Sequence, residues 1–220
     1  MHRQNPIPTI HCSLRTAALL LVSATLLSAV PVPIDVGPQT GTFDNGGAVR
    51  GFWFTAPVDF WIHGVFVPED ASADPQTVEI VRFNSGSPPF ESGDDTNDFT
   101  SLFRAVGVAG SDPIDTPDIR VLEGQWIGVL GYRGTTTSYG DAPYFSSILG
   151  QEVILNRLGV NSNFRDSPAG RVFTDGFPSI GRIELIVDSS PSAAVPEPST
   201  ISLLGLGAVF LFAKRRFSKR

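Results

Sequence analysis

The chain is 220 residues long and carries 16 basic against 22 acidic side chains, with 22 glycines and 18 prolines, which allows one domain with a sizeable core built of short elements and many turns. The charge is unevenly spread. Two basic residues (Arg3, Arg15) stand near the start and five near the end, so the stretch between holds nine arginines, no lysine and all 22 acids, a formal −13; such a body repels nucleic acid and anionic lipid and suits cations and neutral glycans better.

The N-terminus opens with Met1-His2-Arg3 and places Arg15 before the apolar run Thr16 to Val22, which continues to about Val30 and ends at Pro31-Val32-Pro33. A positive start, an apolar stretch and the small residue Ala29 predict a secretory signal peptide over residues 1–29. Met1, His2, His11 and Cys12 all fall within it, so the mature body keeps no Cys, no Met and only His63. That excludes an intramolecular disulfide, thiol catalysis and zinc sites built from Cys and His.

Residues 30–188 read as strands separated by turn clusters. Val49–Thr55 follows the turn-rich Asp44–Gly47, and Phe60–Val67 follows a break at Pro57 and Asp59. In Thr77–Phe83, Val78, Ile80 and Arg82 face one way and Thr77, Glu79, Val81 and Phe83 the other, a period of two with both faces partly apolar. That is the pattern of a sheet covered on both sides. An acidic loop over Asn84–Asp98 leads into Phe99–Val108; Gly124–Tyr132, Val153–Leu158 and Gly181–Val187 complete the set. No stretch has sustained helical spacing. The body is therefore expected to be all-β, an antiparallel sandwich of jelly-roll type.

Candidate sites are of three kinds. Trp53 alternates with Phe52 and Phe54, so its ring points away from theirs; Trp53, Trp61 and Trp126 are candidates for stacking on a sugar ring, against the plainer reading as core. Asp94, Asp95 and Asp98 gather the hard oxygens that calcium takes, without the spacing of an EF-hand loop. Asp112, Asp115 and Asp118 recur at intervals of three, but Pro113 and Pro117 bar the helix that would align them, which leaves solvated turns. The Tyr-bearing segment Gly131–Gly140 suggests a binding loop. No catalytic constellation stands out. His63 lies in an apolar strand, and no carboxylate pair is singled out.

The C-terminal stretch is the most specific. A Ser/Ala/Pro linker over 189–198 contains Pro196-Glu197-Pro198; an apolar helix over 200–213 follows, and the basic tail 214–220 begins with Lys214, Arg215 and Arg216. Prolines disfavour helix before Ser199, and the basic cluster marks a membrane stop at a cytoplasmic face. Over 195–220 this order of parts resembles a PEP-CTERM sorting signal. The resemblance implies a protein exported by a Gram-negative bacterium that makes extracellular polysaccharide. It also implies a single membrane-spanning helix held in the inner membrane, and an exosortase that reads Pro196-Glu197-Pro198 and removes the tail. The end state would then be the cell surface or the matrix. With no reaction written in the body, the expected function is non-catalytic binding of glycan or a neighbouring protein. A carbohydrate-active enzyme using two carboxylates and a ligand-free coat protein are the alternatives.

Overall fold

The structure, a computed structural model, describes residues 30–44, 47–90, 95–161 and 164–192. The expected signal peptide over 1–29, the expected membrane helix over 200–213 and the basic tail lie outside the described residues. Among those described there is no helix long and apolar enough to cross a membrane.

Among the described residues thirteen strands follow one another: β1 (Val32–Pro33), β2 (Gly41–Asp44), β3 (Val49–Thr55), β4 (Phe60–Phe66), β5 (Gln76–Phe83), β6 (Phe99–Val108), β7 (Ile114–Val121), β8 (Trp126–Arg133), β9 (Thr136–Asp141), β10 (Tyr144–Ile148), β11 (Gln151–Val160), β12 (Ser179–Gly181) and β13 (Glu184–Asp188). A small sheet has the order β1-β13-β4-β7, and a large one the order β10-β11-β3-β8-β5-β6. The hairpin partner β9 branches from β8 and carries β2 and β12. Every strand pair is antiparallel. The body is all-β, as its alternation of apolar residues and turn clusters predicts.

One apolar layer lies between the sheets. Phe52 and Phe54 of β3, Val78 and Ile80 of β5, and Ile127 and Val129 of β8 meet Phe60 and Ile62 of β4 and Leu185 and Val187 of β13. The alternate residues of the same large-sheet strands build a second layer on the opposite face. There Val81, Phe83, Leu130 and Leu158 are covered by Phe164, Ala169 and Val172 from the segment after β11. Burial on both faces explains why β5 is apolar both ways.

Polar groups fasten that outer cover. Glu79 is fully buried, accepts from Ser101 Oγ (2.7 Å) and from the Ala169 amide (2.8 Å), and lies 3.8 Å from Arg104 Nε. Arg104 Nη2 donates in turn to the carbonyls of Phe164 and Ser167. Charged hydrogen bonds of this kind contribute about 1.5–3 kcal/mol. Glu79→Gln is expected to cost that much in urea denaturation and to raise amide exchange chiefly at residues 164–172. Uniformly faster exchange across both sheets would contradict this local role.

Two segments differ from expectation. Asp112–Asp118 is not a run of solvated turns: from Ile114 onward it is β7, at the edge of the small sheet. Pro117 is tolerated there because an edge strand has a side that needs no donor. Gly131–Gly140 is not a loop either. It is the β8–β9 hairpin, in which Tyr132 packs in the second layer and Tyr139 stacks on Phe43 with ring centroids 5.9 Å apart.

Candidate functional site

The three tryptophans do not form one surface. Trp53 and Trp126 lie on the outer face of the large sheet, where both are half-buried against the second apolar layer. Trp53 thus points away from Phe52 and Phe54, as its spacing requires. Trp61 is half-buried on β4, between Arg120 of β7 and Asp188 of β13 in the strand register. Of the acidic cluster, Asp94 lies outside the described residues. Asp95 is ion-paired with Arg171, and Asp98 accepts from Ser85 and from Asn84 Nδ2 (3.0 Å). Those bonds, Ser85 first, hold the Asp98 carboxyl below its ordinary range. Among the described residues no group of three or more His, Cys, Asp or Glu is placed to hold a metal ion.

A different surface combines an open cleft with exposed rings. At the β11 side of the large sheet a cleft of about 180 Å³ is lined by Pro143, Asn156, Arg157, Thr174, Asp175 and Phe177, among others. Its floor is an ion pair: Arg157 Nε lies 2.6 Å from Asp175 Oδ1, off the N–H axis, with the two side chains only 6% and 5% exposed. Arg157 Nη1 donates to the backbone oxygen (2.6 Å) and hydroxyl (2.7 Å) of Ser179. Its guanidinium also lies 5.2 Å from the Tyr139 ring centroid and 5.5 Å from that of Phe177. The Thr174 hydroxyl donates to the Arg157 carbonyl (2.8 Å) and the Phe177 amide to Asp175 Oδ1 (3.0 Å), so the 174–177 turn is tied to β11 through Thr174 and Asp175 and closed on itself at Phe177.

The rim is apolar and open. Phe177 is 65% exposed although an arginine lies against its ring. Phe90, 57% exposed, sits beside Gly176. On the other side Phe145 of β10 and Ile154 of β11 are cross-strand partners and both exposed. Ile154 shares its strand face with Asn156, which brings that pair to the lip of the cleft. The neighbouring Tyr144 donates to Asp35 Oδ2 (2.8 Å), and this bond raises its phenol above the ordinary range. Ring faces beside an amide, a carboxylate and a guanidinium suit a ligand with apolar faces and hydroxyl edges.

Sequence reasoning missed this site. Phe177 and Asp175 lie in an irregular segment with no period, and Arg157 meets them only because β11 and β12 pass side by side. A Gly-Phe-Pro turn following an Asp was the one local signal.

The described body thus defines an all-β protein of two antiparallel sheets. Residues 194–216 match the family model of the PEP-CTERM protein-sorting motif, the segment that holds Pro196, Glu197 and Pro198 and the basic Lys214, Arg215 and Arg216. The motif marks an exported protein with a C-terminal sorting and anchoring signal, and an exosortase-type protease is the partner that reads it. No curated protein and no solved structure matches the chain.

Proposed function

We propose that this protein is exported to the surface or polysaccharide matrix of a Gram-negative bacterium, and that its body binds neutral glycan there without catalysis. The observation that carries the reading is the exposed Phe177 ring over the buried Arg157–Asp175 pair, with Asn156 alongside. An aromatic ring held open to solvent by a fixed polar floor is the arrangement that stacks on a sugar while hydrogen-bonding its hydroxyl edge. The body's formal charge of −13 favours a neutral polymer over an acidic one.

Two further features support it. The sheets β1-β13-β4-β7 and β3-β8-β5-β6 have the four-on-four order of a jelly roll, an architecture that lectin domains use. Hydrolysis of a glycoside by the usual routes takes two carboxylates facing one bond, and Asp175 is the one acid among the described residues lining the cleft.

The test is retention of the full chain, in detergent, on the host's purified extracellular polysaccharide. Phe177→Ala is expected to lower affinity about tenfold, or roughly 1.4 kcal/mol, while costing less than about 1 kcal/mol of stability because the ring is exposed. Retention unchanged in both Phe177→Ala and Asn156→Ala would overturn the assignment of the cleft. New reducing ends in the polysaccharide would replace binding by catalysis.

A further inference from the structure

The stem that leads to the sorting motif does not leave the body where β13 ends. Ser192 N donates to Asp118 Oδ2 at 2.8 Å, and Ser192 Oγ donates to Asp118 Oδ1 at 2.8 Å and lies 2.9 Å from His63 Nδ1. His63 Nδ1 is also 2.8 Å from Asp118 Oδ1, and His63 Nε2 is 3.0 Å from the carbonyl oxygen of Ser190. A neutral imidazole has one N–H. Here a carboxylate faces one ring nitrogen and a carbonyl the other, so only the imidazolium donates to both.

The fold builds this site deliberately. Between Ile62 and Gly64 the register of β4 shifts against both of its neighbours. Against β13, His63 is the extra residue; against β7, the extra residues are Thr116 to Asp118, with the Thr116 hydroxyl donating to the Ile62 carbonyl at 2.9 Å. Bulges re-aim side chains, and these two turn His63 and Asp118 toward the same stretch of stem. The three residue types are those of a nucleophilic triad, but such a triad needs the acid and the serine on opposite ring nitrogens. Both share Nδ1 here, and the arrangement grips the chain instead.

We propose that His63 and Asp118 are positioning residues for the sorting step, a protonation-dependent clasp that sets how far Pro196-Glu197-Pro198 stands from the folded body. Closed, the clasp anchors the chain through Ser192 and leaves the three residues 193–195 before Pro196. Open, the tether begins at Ser189. At about 3.3–3.6 Å per extended residue, reach grows from about 10 Å to about 24 Å. A membrane-embedded protease meets the motif more readily on the longer tether, so opening speeds removal of the tail. The inference rests on the sorting motif and is independent of the glycan reading.

The ionisable groups on the elements flanking His63 are Asp115, Asp118 and Arg120 of β7 and Glu184 and Asp188 of β13; residues 189–192 carry none. The Asp118 carboxyl is held below its ordinary range, first by Ser192 and then by His63. A carboxylate so depressed keeps its contribution above its unfolded pKa and loses it only as pH falls through the folded one. Between pH 5.5 and 8.5 Asp118 therefore stays ionised, so its carboxylate is a constant acceptor across the range tested.

Hydrogen exchange of the full chain in detergent, read on peptides covering 189–195 and corrected for intrinsic rates, tests this directly. Stem protection in the unaltered chain is expected to fall at least tenfold from pH 5.5 to pH 8.5, and to be flat with pH in His63→Gln. In the host, His63→Gln and Asp118→Ala are expected to lose the tail at least threefold faster. Ser192→Ala, beyond the last strand, carries the same test if either strand variant leaves the β3 and β8 peptides unprotected. Stem protection equal at the two pH values, or tail loss unchanged in variants whose stem has opened, would overturn the proposal.

Discussion

Gly51→Ala is expected to abolish the folded body, with a loss of more than about 4–5 kcal/mol. A Cβ at Gly51 would overlap the carbonyl oxygen of Val129 on β8 and lie 2.8 Å from that carbonyl's carbon. The obstacle is backbone of the neighbouring strand, so no side-chain rotation relieves it. The same spot is crowded from β12: a Cβ at Gly181 would overlap the Arg50 carbonyl oxygen and lie 2.8 Å from Gly51 Cα. Gly51 lets β8 lie close against β3 and Gly181 lets β12 do so, and a glycine within a strand marks this kind of close backbone approach. Soluble yield, circular dichroism and urea denaturation would measure the loss. Gly41→Ala is the control. Nothing lies within 4 Å of its added methyl group, and it should shift stability by no more than about 0.5 kcal/mol. Equal urea midpoints for the two variants would show that β8 does not approach β3 at Gly51 as described.

The positions of those glycines show why part of the fold was legible in the sequence and part was not. A strand whose two faces are buried writes its period into the chain: Val78 and Ile80 go to one layer, Val81 and Phe83 to the other, and β3, β5 and β8 could be placed from such patterns. The sequence does not record what a strand crosses. Gly51 and Gly181 are 130 positions apart, and neither has a local reason to be glycine. The bulges at His63 and Asp118 hid a different kind of information. Alternation carried on from Phe60 and Ile62 puts Gly64 inside, whereas the shifted register puts Val65 inside as well. Once that phase breaks, a histidine in an apolar strand reads as core and three aspartates among prolines read as a loop. The sorting signal was legible for the opposite reason. It is linear, a motif, an apolar run and a basic stop read in order, and it needs no tertiary contact to be recognised.

The cleft is the hardest case, because its chemistry comes from residues that face each other only after folding, and Asp175→Ala puts it to the strongest test. Arg157 is held by Asp175 on one side and by Ser179 on the other, with Tyr139 and Phe177 over its faces. Removing the carboxylate leaves a guanidinium 6% exposed without its counter-charge, and breaking a buried pair in this way costs about 3–5 kcal/mol. The Phe177 amide loses its acceptor at the same time, so the 174–177 turn should loosen and carry the ring out of register with Asn156. Asp175→Ala is therefore expected to lower the urea midpoint and also to abolish retention on polysaccharide, whereas Phe177→Ala lowers retention alone. Replacing both partners, Arg157→Met with Asp175→Ala, removes the stranded charge and should recover much of the stability without recovering retention, since the polar floor is gone. If the double variant bound polysaccharide as the unaltered chain does, the pair would be a structural tie and the ligand would have to be sought elsewhere on the sheet. Recovery of stability without binding would mean that the body keeps a buried ion pair here for its ligand, at a site where an apolar contact would serve the fold equally well.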